Sequence, residues 1–203
     1  MPSRREFIQA GIAASVVPIA FPIHDPARAA VDADGAAPHS HHPLRVVCDV
    51  RSHHSAALAD EAERLGLTVI RTRGDITDFW FTDLAPRWKV SPLPIAGLTT
   101  HGPLFCLERF AWDHGLRVAF RGVHRFHDSG HIEHSLSGPF QAVASAHSAL
   151  MGEDWPVHLA RLLSSCAAAP DTAGTTVRST LARGHRTDVD DTLFSWVIAP
   201  KQA

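Results

Sequence analysis

The chain has no tyrosine, two methionines and three cysteines among its 203 residues. Without tyrosine, a phenolic base and a phenolic metal ligand are excluded. The formal net charge is −2, and no long basic run follows the first thirty residues, so nucleic-acid binding has no electrostatic support. Neither Gly-x-Gly-x-x-Gly nor a phosphate-loop motif occurs, so a nucleotide cofactor is not supported. Gly-x-Ser-x-Gly is missing as well, and a nucleophilic serine therefore has no signature.

The three cysteines, Cys48, Cys106 and Cys166, lie far apart in the sequence. Each is surrounded by apolar residues, so we expect three buried free thiols. In an oxidising compartment two of them could instead form a disulfide, and the sequence does not select the pair.

Hydrophobic residues make up 45% of the chain and charged residues 20%, which is typical of a globular protein. Histidine is frequent, with 15 residues. Histidines, carboxylates and helix termini are therefore the candidates for catalysis or ligand binding.

The first thirty residues have the three parts of an export signal in the correct order. Ser3-Arg4-Arg5-Glu6-Phe7-Ile8 combines a polar residue, two arginines and two apolar residues, an apolar run follows from Ala10 to Phe21, and Ala27-Arg28-Ala29 places small residues two apart. This stretch resembles a twin-arginine (Tat) signal peptide. The resemblance covers the leader alone. It implies cleavage after residue 29 and delivery of an already folded protein to the periplasm or outside the cell.

The apolar run of the leader is too short for a membrane anchor, because about 20 apolar residues are needed to cross a bilayer. Pro18 and Pro22 interrupt it further. Residues 30–43 show no apolar periodicity and contain His39, His41 and His42, so we expect a flexible linker. Residues 44–203 are then predicted to form a single domain, and no stable membrane span is expected in the mature chain.

The domain is predicted to open with a strand, a helix and a strand. Residues 45–50 form a short apolar run that suits a buried strand. Ser55 is a plausible N-cap for a helix that ends before Gly66, and residues 67–72 follow as a second strand. The short connections indicate a parallel β-α-β unit.

The next segment, residues 74–98, is long, irregular and rich in aromatic and acidic residues, with one short helical turn expected from Thr77 to Leu84. Thr100 is predicted to cap a helix that runs to about His114. The remaining predicted elements are a third strand at 94–98, a hairpin at 117–125 and 131–138, helices at 140–150 and 155–166, a polar connector at 167–188 and a last strand at 193–199.

This order predicts an α/β fold, a three-layer sandwich with a mixed, largely parallel sheet and one antiparallel hairpin. In such sheets, ligands bind at the carboxyl ends of parallel strands. Three polar segments are expected to meet there: Asp49 to His53, Gly74 to Asp78, and Thr99 to Gly102.

The turn into the helix after the third strand is the strongest candidate for a ligand site. A helix N-terminus with hydroxyl groups and a nearby glycine favours a carboxylate or phosphate. An ordinary capped helix explains the same residues. The ligand-binding candidates are Arg51, Thr99, Thr100, His101 and Gly102, and the catalytic candidates are Asp49, Asp75, Asp78 and His101.

The predicted hairpin contains His124, His127, His131 and His134. Period-2 geometry places His124 and His134 on the same apolar face, where they could bind zinc or copper or act as an acid–base pair. Hydrogen-bonded core histidines are the alternative. Arg121 and Glu133 are expected to share the opposite face and to pair.

The aromatic segment offers a third candidate, with Asp75, Asp78 and Asp83 among its phenylalanines and tryptophans. Paired carboxylates could perform acid–base chemistry, and the aromatic residues could cover a ligand or a partner protein. Turn-forming aspartates and core aromatics account for the same pattern.

Three functions therefore remain open. The first is a periplasmic protein that binds a small anionic ligand or serves an exported redox enzyme. The second is a metal- or His/Asp-dependent, hydrolase-like periplasmic enzyme. The third is a non-catalytic subunit that is exported together with a larger oxidoreductase.

Overall fold

The computed structural model describes residues 44–166, 174–183 and 192–200, with the backbone alone for Phe140, Ser165, Cys166 and 174–183. The predicted leader, 1–29, and the predicted linker, 30–43, lie outside the described residues. The strands of the described part are β1 (Arg45–Asp49), β2 (Thr68–Thr72), β3 (Ile95–Thr99), β4 (Leu116–Phe126), β5 (His131–Pro139), β6 (Gly174–Arg183) and β7 (Thr192–Pro200). Its helices are α1 (His53–Arg64), α2 (Thr77–Phe79), α3 (Ala85–Val90), α4 (His101–Asp113), α5 (Phe140–Ala149) and α6 (Trp155–Cys166), with a π-helical stretch, Trp80–Leu84, between α2 and α3.

The strands form one mixed sheet in the order β2-β1-β3-β7-β4-β5-β6, so the predicted α/β class is confirmed. Strand β1 pairs in parallel with β2 and with β3. The other four neighbouring pairs are antiparallel. The prediction of a largely parallel sheet is not confirmed, because β7 returns between β3 and β4 and because β6 extends the hairpin.

Strand β6 was not predicted, since residues 167–188 were expected to be a polar connector. It pairs with β5 in antiparallel fashion and forms one edge of the sheet. The sequence Gly-Thr-Thr-Val-Arg-Ser-Thr-Leu-Ala-Arg has no regular apolar alternation. An edge strand is held by backbone hydrogen bonds on one side, so the apolar pattern on which the prediction relied is not required.

Two hydrophobic clusters flank the sheet. Val46 and Cys48 belong to one cluster and Val47, between them, belongs to the other, so the clusters lie on opposite faces of the sheet. Leu58 of α1, Val143 of α5 and Leu159 of α6 pack in the first cluster. Phe79, Leu84, Trp88, Leu104 and Leu107, from the segment α2 to α4, pack in the second.

Strands β1 and β3 are neighbours, but the helices that follow them pack on different faces. Helix α1 contributes to the first cluster and leads to β2, at one edge of the sheet. Helix α4 contributes to the second cluster and leads to β4, on the other side of β3. The carboxyl ends of β1 and β3 therefore form a topological switch point, where α/β sheets bind ligands.

The segment after β2 is largely helical rather than irregular. Phe79, Leu84 and Trp88 are buried, and the five-residue step from Phe79 to Leu84 coincides with the π-helical stretch. Pro86 falls in the first turn of α3, where its missing N–H is tolerated. Helix α4, with 13 residues, is the longest in the described part, and no helix there is both long and apolar enough to span a membrane.

Candidate functional site

A buried ion pair lies at the carboxyl end of β1. Asp49 is fully buried, and the Arg51 side chain, 34% exposed, turns back to it. Arg51 Nε lies 2.9 Å from Asp49 Oδ1 and Nη2 lies 2.5 Å from Oδ2, which is a bidentate pair. Gly74, with φ of +88°, lies against this guanidinium, because an added Cβ would stand 2.2 Å from Nη2. The loops after β1 and β2 therefore meet, as predicted from the sequence.

The turn after β3 reaches the same carboxylate. Thr100 Oγ1 lies 3.5 Å from Asp49 Oδ2, and Thr100 occupies the N-cap position of α4 as predicted. Thr99 has a different role, because its buried hydroxyl accepts a hydrogen bond from Trp196 Nε1 at 3.1 Å. His101 and Gly102 are exposed, and nothing lies within 4 Å of a Cβ added at Gly102. Thr99, one of the five ligand candidates, is therefore a core residue and does not face a ligand.

The two helices beside this cleft begin without a side-chain cap. Ser52 is the N-cap residue of α1 and Thr100 that of α4, and neither makes a side-chain cap hydrogen bond within the described part of the chain. Neither helix has an acidic residue in its first turn. The prediction that Ser55 caps α1 is wrong, because Ser55 lies inside the helix and donates to the Leu98 carbonyl at 2.6 Å. The N–H groups in the first turns of α1 and α4 therefore have neither a capping side chain nor an acidic first-turn residue as a partner.

The acidic candidates of the aromatic segment are kept apart. The Asp75 carboxylate accepts a hydrogen bond from the Thr77 backbone N–H at 2.8 Å, and bonds from the Thr77 side chain and backbone lower the pKa of Asp75. Asp78 is exposed on α2. Asp83 bonds to Arg45 Nη1 at 2.7 Å and also to Arg87. The predicted pair of carboxylates is therefore not formed among these three.

The two hairpin histidines lie directly opposite each other, as predicted. His124 Nδ1 and His134 Nδ1 are 2.5 Å apart, and His124 Nε2 lies 2.8 Å from Ser195 Oγ. Two tetrahedral zinc ligands with Zn–N of about 2.0–2.1 Å would lie roughly 3.3 Å apart, so this is the geometry of a hydrogen bond. Within the described residues, no group of three or more histidine, cysteine, aspartate or glutamate side chains is arranged to hold a metal. Zinc or copper binding by His124 and His134 stays a prediction.

Burial keeps the histidine pair neutral. It lowers the pKa of His134 to about 4, with the electrostatic interaction with His54 as a further cause. The pKa of His124 falls well below its usual value, mainly through burial and then through repulsion from His134 and His54. The ring of Trp155 lies 4.6 Å from that of His124 and 5.1 Å from that of His54. His134 Nε2 and Trp155 Nε1 are buried and have no hydrogen-bond partner in the described part.

A cavity of about 630 Å³ lies beside His54, outside this buried pair. The hairpin turn and the start of α6 complete its wall, which no sequence pattern predicted. The adjacent histidines His53 and His54, at the start of α1, were the sequence feature that could have indicated a site here. The polar residues of its lining are His53, His54, Ser129, His131, Glu153 and Asp154.

Two further predictions need correction. Arg121 pairs with Glu108 of α4 at 2.6 Å rather than with Glu133, which lies opposite Arg125 in the hairpin. Cys106 is partly exposed, whereas Cys48 is buried, and both are free. Burial raises the pKa of the Cys48 thiol to about 12, so this thiol stays protonated. The side chain of Cys166 lies outside the described part.

Comparisons of the chain with known protein families, with curated proteins and with solved structures find no match. The predicted site residues thus form two groups: the cleft at the carboxyl ends of β1 and β3, and the histidine pair of the hairpin. Of the two, the cleft unites more of the predicted site residues.

Proposed function

We propose that this protein binds a small anion, a phosphate or a carboxylate, in the cleft between β1 and β3. One observation carries the proposal: α1 and α4 both begin at the edge of the sheet where Asp49 pairs with Arg51 and approaches Thr100. Such a ligand would accept hydrogen bonds from the first-turn N–H groups of the two helices.

The electrostatics of the cleft favour an anion over a cation. Each helix N-terminus carries about half a positive charge, and a neighbouring anion gains typically about 0.3–1 kcal/mol from it. Asp49 is paired at two atoms with Arg51, so the Asp49–Arg51 pair adds no net charge to the cleft. By holding the guanidinium at two atoms, Asp49 fixes Arg51 in position before the ligand arrives.

Gly102 offers a test that leaves the fold intact. We expect Gly102→Glu to weaken phosphate binding roughly two- to fivefold, because its exposed carboxylate would occupy the first turn of α4 in place of the ligand's charge. The measurement is isothermal titration with phosphate, sulfate and succinate at low ionic strength. Gly102→Gln, which has nearly the same shape and no charge, is the matched control and should bind like the unaltered protein.

Two outcomes would contradict the anion site. One is equal binding of phosphate by the Gly102→Glu and Gly102→Gln variants. The other is the absence of any heat or thermal shift with all three anions in the unaltered protein.

The proposal extends to the layer architecture and to the location of the protein. The two hydrophobic clusters support a three-layer sandwich, and the sequence of the leader supports export by the twin-arginine route. The protein would then act in the periplasm, as a binding protein or as an accessory to an exported redox enzyme. The metal-dependent enzyme and the co-exported subunit remain alternative proposals.

Export has its own test. We expect Arg4→Lys together with Arg5→Lys to abolish recovery of the protein from the periplasm, because this pathway recognises the arginine pair. Cell fractionation followed by immunoblotting measures the outcome. Leu44→Ile lies outside the leader and serves as the control, and unchanged recovery of the double lysine variant would contradict the route.

A further inference from the structure

A second cavity, of about 420 Å³, lies at the opposite end of β1 and β3 from the anion cleft. Its wall includes Arg45 and Ile95, the first residues of these two strands, and residues of α3 and the following loop. The volume falls within the range of about 300–1,000 Å³ that is usual for small-molecule sites. This cavity does not include the ligand candidates of the anion cleft, but it does include Trp88 of the aromatic segment, which the sequence offered as a cover for a ligand.

The lining of this cavity is mainly apolar. Trp88 is 2% exposed and donates its Nε1–H to the Leu93 carbonyl at 3.1 Å, so its ring faces a ligand with no unsatisfied polar atom. Val90, at the end of α3, is 88% exposed. The further apolar lining residues are Leu84, Pro86, Leu93, Pro94 and Ile95.

The charges at the cavity are unbalanced. Arg45 and Arg87 are the ionisable side chains of its lining, and both bond to the same carboxylate, Asp83. Two positive charges and one negative charge leave a surplus of one positive charge. An apolar space with one surplus cation at its wall is complementary to a ligand with one negative charge and an apolar body.

We propose that this cavity binds an aliphatic monocarboxylate, a free medium-chain fatty acid. The alkyl chain would contact Trp88, Leu93 and Ile95, and the carboxylate would lie against the guanidinium groups of Arg45 and Arg87. The site is independent of the proposed anion cleft, because the two lie at opposite ends of the strands and differ in lining.

A series of four probes separates charge from apolar contact. We expect octanoate to bind at least about tenfold more tightly than 1-octanol or octylammonium, and acetate to give no measurable heat in isothermal titration. 1-Octanol shares the alkyl chain without the charge, and octylammonium reverses the charge. Equal affinity for octanoate and octylammonium, or no binding of octanoate, would overturn the proposal.

Val90 provides the matched variants. Because it is 88% exposed, substitution there should not affect folding. We expect Val90→Glu to weaken octanoate binding severalfold and Val90→Lys to strengthen it, because the two variants place opposite charges at the mouth of the cavity. Gly102→Glu should not change octanoate binding, and this distinguishes failure of this site from failure of the anion cleft. Identical octanoate affinities of the Glu and Lys variants would show that charge at the mouth has no role and would refute the site.

Discussion

Gly97→Ala is expected to lower the free energy of unfolding by about 3 kcal/mol or more, or to prevent folding. An added Cβ at Gly97 would lie 2.4 Å from the Val47 carbonyl oxygen and 2.6 Å from the Trp196 ring. Strand β1 cannot withdraw without breaking its ladders with β2 and β3. Overpacking typically costs about 1–3 kcal/mol, and contact with backbone rather than a flexible side chain places this site at the upper end.

Gly102→Ala is the control for this prediction, because nothing lies within 4 Å of a Cβ added there. We expect its free energy of unfolding to stay within about 1 kcal/mol of the unaltered value. Urea denaturation followed by circular dichroism measures both variants. A Gly97→Ala protein as stable as Gly102→Ala would mean that β1 and β3 do not approach each other so closely.

Acidification is the second change with a large expected effect. Burial lowers the pKa of His134 to about 4 in the folded protein, against an ordinary value of 6.5. Between these values the unfolded chain binds more protons than the folded one, so stability falls as the pH is lowered from about 6.5 to about 4. One pKa unit corresponds to about 1.36 kcal/mol, so His134 alone accounts for a loss on the order of 3 kcal/mol. His124, whose pKa is lowered as well, adds to the loss.

His134→Gln tests the source of this loss. The amide keeps a hydrogen-bonding group opposite His124 but does not titrate, so we expect a shallower dependence of unfolding free energy on pH between 4 and 6.5. Exposed His131, in the same strand, gives the control variant His131→Gln, which should keep the slope. Equal slopes for the two variants would show that the buried pair does not determine the acid sensitivity.

The local parts of the fold were predictable because they depend on short stretches of sequence. Gly66 ends α1 with φ of +77°, as its position predicted. The pairing of His124 with His134 follows from the turn, since any register that keeps even residues together places them on one face. The meeting of Asp49 and Thr100 follows from the rule that parallel strands bring their carboxyl ends to one edge.

The features that were missed depend on contacts distant in sequence. Arg121 finds Glu108 because α4 packs over that part of the sheet, and no strand pattern contains this information. Ser55 bonds to the carbonyl of Leu98, 43 residues away, instead of capping a helix. The cavity beside His54 needs the hairpin turn and the start of α6 together. Each depends on the tertiary arrangement, whereas the helix and strand signals are local.

Strand β1 is only five residues long, and it supplies Arg45 to one proposed site and Asp49 to the other. At about 3.3 Å per residue, the Cα atoms of Arg45 and Asp49 lie roughly 13 Å apart, and the two bound anions would have a similar or larger separation. At physiological ionic strength the Debye length is about 8 Å, so counter-ions largely screen the repulsion between them. Saturating the anion cleft with phosphate should therefore leave the affinity of the apolar cavity for octanoate almost unaltered. The protein would then bind phosphate and octanoate at the same time.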